Sequence, residues 1–270
     1  MIEKLIKCLE EQQVAPGLLE EIRKFRERYP VTKGTEGRIT PPLIPFFGRE
    51  VFEMAAHGLL QGENILLTGT KATGKNVLAE NLAYLFGRPM YNISFHVNTD
   101  SSTLIGTDTF RNNEVTLRTG PVYESAVNGG FAVLDEVNMA KNDAVSVLHA
   151  SLDYRRVIDV PGYDKIQLHD AARFIGTMNY GYAGTRELNE ALVSRFLVID
   201  MPPADENTLE NIILQMFPDI KASGLEQVCG LFLDLQAKAS NHEISTKPLD
   251  MRGLIGALKT IRGGLSPRQA

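Results

Sequence analysis

The sequence predicts an α/β fold, a five-stranded parallel sheet with helices on both faces, followed by a small all-α domain. Three observations predict it. From Asn64 onward, five strand-length apolar runs alternate with segments of helical spacing. The runs are apolar throughout rather than at every second residue, as strands covered on both faces are. After Pro203 the runs stop and three helical stretches follow.

The elements justify themselves in order. Residues 1–40 form a helical segment and a linker. Ile2 to Arg28 reads as one or two amphipathic helices, broken near Ala15-Pro16-Gly17, and the prolines and glycines that follow mark the linker. Residues 41–203 form the sheet-bearing core. Its strands are "NILLTG", "MYNISFH", "FAVLDEVN", "ARFIGTMN" and "FLVIDMP", with helical spacing from Val77 to Leu85 and from Asp143 to Leu152. "TDTFRNNEVTLRTG" predicts a hairpin turning at Asn112-Asn113, and "RRVIDVPGYDKIQLH" a second one turning at Pro161-Gly162. Residues 204–270 form the helical domain. Ala204-Asp205 starts its first helix, with acidic residues in the opening turn, where the helix dipole favours them. In the tail, Ser266 and Pro267 have the pattern of a cap and a first helical residue. Either the tail is irregular or the helical domain is incomplete at its C-terminus.

Composition narrows the function. The chain has 270 residues and a net charge of -5. That balance disfavours broad binding to nucleic acid, which needs many Lys and Arg contacts to phosphates. No apolar run reaches the ~20 residues of a membrane span. The two cysteines, Cys8 and Cys229, lack metal-type spacing and read as reduced thiols of a cytoplasmic protein. The five histidines share no ligand spacing either.

Four short stretches carry chemistry. Gly69-Thr70-Lys71-Ala72-Thr73-Gly74-Lys75 joins a strand to a helix. Glycines there let backbone N–H groups curl around phosphate oxygens, and Lys75 would reach the outer phosphates. The binding stretch runs on through Asn76 and Val77. Asn76 stands where Ser or Thr usually meets Mg²⁺; its carbonyl oxygen is a competent ligand, directly or through a water. In "FAVLDEVN", Asp135 and Glu136 close a buried strand at the end where parallel sheets bind ligands. Asp135 would hold Mg²⁺ through water and Glu136 would take a proton from the attacking water. Asn179 ends another strand, where it either orients that water or simply forms a turn. Arg195 follows a short helix, either as a finger reaching a neighbouring subunit or as a surface cap.

In this order and spacing the motifs resemble an AAA+ ATPase of the MoxR-type branch. The resemblance spans Ile44 to Ala270 and rests on "GTKATGKN", "FAVLDEVN", "GTMNY", "GTRELNEALVSRF" and "LDMRGLIGAL". It implies an αβα P-loop core with a helical lid, ATP and Mg²⁺ as ligands, and a self-assembled ring, usually a hexamer. It implies catalytic roles for Glu136, Asn179 (first sensor) and Arg195 (finger in trans). Arg252 is the choice for the second sensor, with Lys247 as rival. In "PPLIPFFGRE" the Phe46-Phe47-Gly48 backbone would lie close to the base, and Phe47 and Gly48 join the nucleotide-binding set. The two hairpins are similar to the branch's insertions, which face the ring axis in related machines; plain loop decoration is the alternative. Relatives often work with a von Willebrand factor A-domain protein. The expected function is therefore ATP-driven remodelling of a protein client. The alternatives are a binding scaffold with little turnover, favoured by Asn76, or the motor of a restriction or gas-vesicle system.

Overall fold

The computed structural model describes residues 2–111, 113–159, 163–179, 188–241, 243–244 and 251–269, apart from the side chains of Arg111, Asp143 and Ser240. The turn residues Asn112, Pro161 and Gly162, the histidine His242 and the rival sensor Lys247 lie outside the described residues. The chain divides into two compact units, Met1–Thr70 with Gly74–Met201, and Lys71–Thr73 with Pro202–Ala270.

In the first unit the helices are α1 (Ile2–Glu11), α2 (Pro16–Arg28), α3 (Arg49–Gln61), α4 (Lys75–Leu85), α5 (Ser101–Ile105), α6 (Pro121–Val127), α7 (Asn142–Ser146), α8 (His149–Leu152) and α9 (Glu190–Val193). The strands are β1 (Ile65–Gly69), β2 (Met90–Ser94), β3 (Gly106–Arg111), β4 (Glu114–Thr119), β5 (Phe131–Asp135), β6 (Val157–Ile158), β7 (Ile166–Gln167), β8 (Arg173–Asn179) and β9 (Leu197–Asp200). All five expected core strands join one sheet in the order β2-β5-β8-β1-β9, with every pairing parallel.

Alternation along the strands builds the two cores. Ile65 and Leu67 of β1, Phe131 and Val133 of β5 and Ile175 of β8 face one apolar cluster, which α1 to α4 complete through Leu9, Ile22, Phe52 and Leu78. Leu66, Ala132, Leu134 and Phe174 face the opposite cluster, completed by Leu104, Val122 and Leu148. This is a sheet covered on both faces. The N-terminal helices are built into the first cluster, and Arg26 Nη1 fastens α2 to the end of α4 by donating to the Tyr84 and Leu85 carbonyls at 2.8 and 2.9 Å.

Each of the two segments read as hairpins contributes an antiparallel strand pair. β3 and β4 pair antiparallel with Arg111 opposite Glu114, and β6 pairs with β7. One detail departs from the sequence reading. Asp143 to Leu152 is two short helices, α7 and α8, because a turn at Val147-Leu148 breaks the ladder. The tail takes the irregular form, a single turn closed by Gln269 N–H to the Ser266 carbonyl at 2.9 Å.

The second unit holds α10 (Glu206–Met216), α11 (Ala222–Ser240) and α12 (Met251–Arg262). Asp205 caps α10 by accepting the Thr208 N–H at 2.8 Å. Leu209, Ile213, Phe217, Cys229, Phe232 and Leu258 form its own apolar cluster.

Candidate active site

Parallel strands end on the same edge of a sheet, so register decides which residues meet there. Gly69 at the end of β1 is level with Asn179 at the end of β8, and Leu134 of β5 is level with Gly176. Asp135, Glu136 and Asn179 therefore gather beside the loop that leaves β1.

That loop has the backbone of a phosphate cradle. Gly69 and Gly74 have φ of 143° and 86°, and Ala72 sits in the left-handed region at 62°. A Cβ on Gly69 would fall 2.7 Å from the Met201 carbonyl oxygen, so only glycine fits there. Helical bonding in α4 starts with Leu78 N–H to the Gly74 carbonyl at 2.9 Å, which directs the N–H groups of its first turn out of the helix. Lys75 is buried and curls back onto the loop, its Nζ donating to the Thr70 carbonyl at 2.6 Å and the Gly69 carbonyl at 3.2 Å. Burial brings its pKa down to about 8, against the pull of Asp135, Asp200 and Glu136.

The two carboxylates are tied together by a residue that sequence reasoning missed. Thr177 Oγ1 donates to Asp135 Oδ1 at 2.7 Å and accepts the Glu136 N–H at 3.0 Å. Glu136 stands in the left-handed region with φ 55° and ψ 47°, a conformation that costs a side-chain-bearing residue roughly 1–2 kcal/mol. Its Oε1 accepts from Asn179 Nδ2 at 3.1 Å. The Asn179 carbonyl in turn accepts from Asn138 Nδ2 at 3.1 Å. The network thus fixes Asp135 at the strand end and aims Glu136 at the amide of Asn179. Removing its centre with Thr177→Val takes that partner from the half-buried Glu136 N–H and from the Asp135 carboxylate. We expect that to cost about 1–3 kcal/mol in urea unfolding. An unchanged midpoint would show that the hydroxyl carries no load.

Asn76 lies one residue into α4. Its Oδ1 is buried and has no hydrogen-bond partner among the described residues. A cavity of about 150 Å³ adjoins it, lined by Asn76, Glu80, Asn92, Ser94 and Asp135. Burial raises the Glu80 pKa. An orphaned carbonyl oxygen sharing a cavity with a carboxylate is an oxygen donor set of the kind Mg²⁺ takes. Among the described residues no cluster of three or more His, Cys, Asp or Glu could hold a metal by itself.

The other predicted residues lie on other elements. Phe46 is buried and its ring lies against the backbone of Gly74. Phe47 and Gly48 follow it, half-buried, in the segment leading into α3. Arg195 precedes β9. Leu197 is level with Ile65 at the start of β1, so four residue steps of about 3.3 Å separate that level from Gly69. Arg195 is thus at the far edge of the sheet from its own loop. There its Nη2 pairs with Asp153 Oδ2 at 3.6 Å, its Nε donates to the His149 carbonyl at 3.3 Å, and its Nη1 donates to the Ala191 carbonyl. Hydrogen bonding from Arg155 holds the Asp153 carboxyl down to about 2, with Arg195 adding to the effect. Arg252 is exposed on the first turn of α12 in the second unit.

Comparison with known proteins agrees with this fold. A family profile described as an AAA domain, dynein-related subfamily, matches residues 64–196. A Bacillus subtilis (strain 168) protein described as uncharacterized, YojN, is 31% identical over 217 residues, covering 78% of this chain and 71% of that one. A Staphylococcus aureus (strain bovine RF122 / ET3-1) protein, SAB1265c, also described as uncharacterized, is 33% identical over 199 residues, covering 72% of this chain and 76% of that one. Among solved structures, a putative ATPase from Cytophaga hutchinsonii shares the fold with a TM-score of 0.52 and 21% identity over 75% of this chain and 58% of that one. A mutant of RuvB from Thermotoga maritima shares it with a TM-score of 0.55 and 17% identity over 84% of this chain and 66% of that one. The chain spans less than two thirds of either solved chain. Among the described residues no helix is long and apolar enough to cross a membrane. The glycine loop after β1, the carboxylates at the end of β5 and the family match over residues 64–196 together make this chain a member of the AAA+ ATPases, with an AAA domain of the dynein-related subfamily.

Proposed function

We propose that the chain is an ATP-hydrolysing remodelling factor of the MoxR type. It works as a cytoplasmic ring, of six copies by the family's habit, on a protein client, in maturation or metal-cofactor insertion. A von Willebrand factor A-domain protein is the partner proposed. The observation that carries this reading is the network Asp135–Thr177–Glu136–Asn179 beside the loop Gly69–Lys75. A chain that only binds nucleotide has no use for a carboxylate held in a left-handed backbone next to a carboxamide.

The roles follow from position. Backbone N–H groups from Gly69 to Val77 cradle the phosphates, and Lys75 leaves the loop carbonyls for the outer phosphate oxygens. Asp135 and Asn76 would hold Mg²⁺, which when bound offsets phosphate charge. Glu136 accepts the proton of the attacking water. Asn179 holds Glu136 by one amide hydrogen until water takes that place. Arg195 acts on the neighbouring copy, its distance from its own loop being what supports this. Arg252 serves as the second sensor, and the β3–β4 and β6–β7 hairpins touch the client. Phe110 and Val115 form an exposed cross-strand pair on β3–β4, suited to gripping an unfolded segment.

The scaffold alternative has Asn76 in its favour. Asn is one bond longer than Ser or Thr, so its oxygen meets the metal less well. We expect Asn76→Thr to raise Mg²⁺-dependent hydrolysis severalfold with little change in ATP affinity. A rate that stays level or falls would count against weakened metal coordination at Asn76.

A further inference from the structure

Gln12 follows α1 and lies against the segment that leads to the phosphate loop. Its Nε2 donates to the Phe46 carbonyl at 3.0 Å, and its Oε1 accepts the Gly48 N–H at 3.0 Å. Only this orientation of the amide gives each partner a matching atom, so the donor and the acceptor are fixed by the backbone they meet. The segment therefore presents an acceptor and a donor, two residues apart, to a ligand edge with a donor beside an acceptor.

A carboxamide has such an edge, and so does adenine, whose exocyclic amino group sits beside a ring nitrogen. Guanine carries a carbonyl where adenine carries that amino group, and would set oxygen against the Phe46 oxygen. Position supports a base here. The Phe46 ring is 3.6 Å from where a Cβ on Gly74 would be, which puts the segment beside the start of α4.

The segment does not depend on Gln12 for its place. Asn81 of α4 is fully buried and holds it from the other side. Asn81 Oδ1 accepts the Phe46 N–H at 3.1 Å, and its Nδ2 donates to the Ile44 carbonyl at 3.0 Å. The Gln12 amide also has a second partner ready, because its Nε2 lies 3.3 Å from the Cys8 carbonyl in its own helix.

We propose that Gln12 is an internal stand-in for the base. It fills the adenine-reading edge of Phe46 and Gly48, and an adenine nucleotide displaces it and loosens the end of α1. This rests on the reading of Phe46–Gly48 as the base side of the site. The N-terminal helices thereby sense the nucleotide, and base binding competes with a built-in occupant.

Calorimetry with ADP and with inorganic tripolyphosphate tests this on the full chain. In Gln12→Ala, ADP should bind about tenfold tighter, as relief from breaking two hydrogen bonds implies, while tripolyphosphate binds as it does to the native chain. ADP binding equal to or weaker than native, with tripolyphosphate still bound, would overturn the proposal and leave the phosphate site standing. Binding of neither ligand by the native chain would overturn the nucleotide-site reading and the proposal with it. The native chain supplies a check that no variant can spoil by misfolding. ADP should speed amide exchange around residues 8–14, and unchanged or slower exchange there would contradict displacement.

Discussion

Glu136→Gln is expected to lower ATP turnover by about 10²–10⁴-fold, the range for removing a general base, while ATP binding persists. Gln keeps the length of the side chain and can still accept from Asn179 Nδ2, the contact seen at 3.1 Å. It keeps the left-handed backbone at φ 55° and the N–H bond to Thr177 as well. What it loses is a carboxylate able to take a proton. Turnover and nucleotide affinity measured side by side decide the matter. A variant that hydrolyses ATP at the native rate would remove Glu136 from the mechanism. One that no longer binds ATP would show that the carboxylate shapes the pocket instead. With binding intact, the variant holds ATP without cleaving it and becomes the bait for capturing the client and the proposed partner.

Arg195→Ala is the second large effect, about 10³–10⁵-fold where an arginine finger has been removed. The geometry sharpens this into a test of where Arg195 acts. It stands before β9, at the opposite edge of the sheet from the loop after β1. If it serves a neighbour, mixing Arg195→Ala chains with Glu136→Gln chains should restore activity. Random assembly makes about a quarter of the contacts carry both intact residues. Two inactive proteins that stay inactive when mixed would refute action in trans. The pairing with Asp153 in this structure predicts a milder, separable effect. Asp153→Asn should free Arg195 from its 3.6 Å partner without removing it, so its turnover should stay far above that of Arg195→Ala.

Much of this was legible before any coordinates. The five core strands are covered on both faces, so each reads as a continuous apolar run, and the helices between them keep their own period. Asp135, Glu136 and Asn179 were legible because each closes such a run. The strand order was not, because crossovers of any length can return a strand to either side of β1. Thr177 was missed for a different reason. In a buried strand a threonine passes for a β-branched filler, and only the register that sets it beside Asp135 shows what its hydroxyl does. Gln12 was hidden by distance along the chain, since its partners lie 34 and 36 residues away. The break between α7 and α8 left no signal, because Val147 and Leu148 are ordinary helix residues. The start of α10 at Asp205 was plain because a helix start is a local matter, settled within three residues, although the cap itself shows only in the structure.

The tight approach of Met201 to Gly69 bears on how an inactive control is chosen. Any side chain at position 69 would collide with the Met201 carbonyl at 2.7 Å, and its φ of 143° is one that only glycine adopts at ease. A Gly69→Ala chain would therefore lose activity by prying the strand β9 and its exit away from the sheet, whatever became of the phosphates. Its silence would report damaged architecture. Lys75→Met keeps the helix and the apolar stem while deleting the cation, so a dead Lys75→Met chain of native thermal stability is the control that speaks about nucleotide alone.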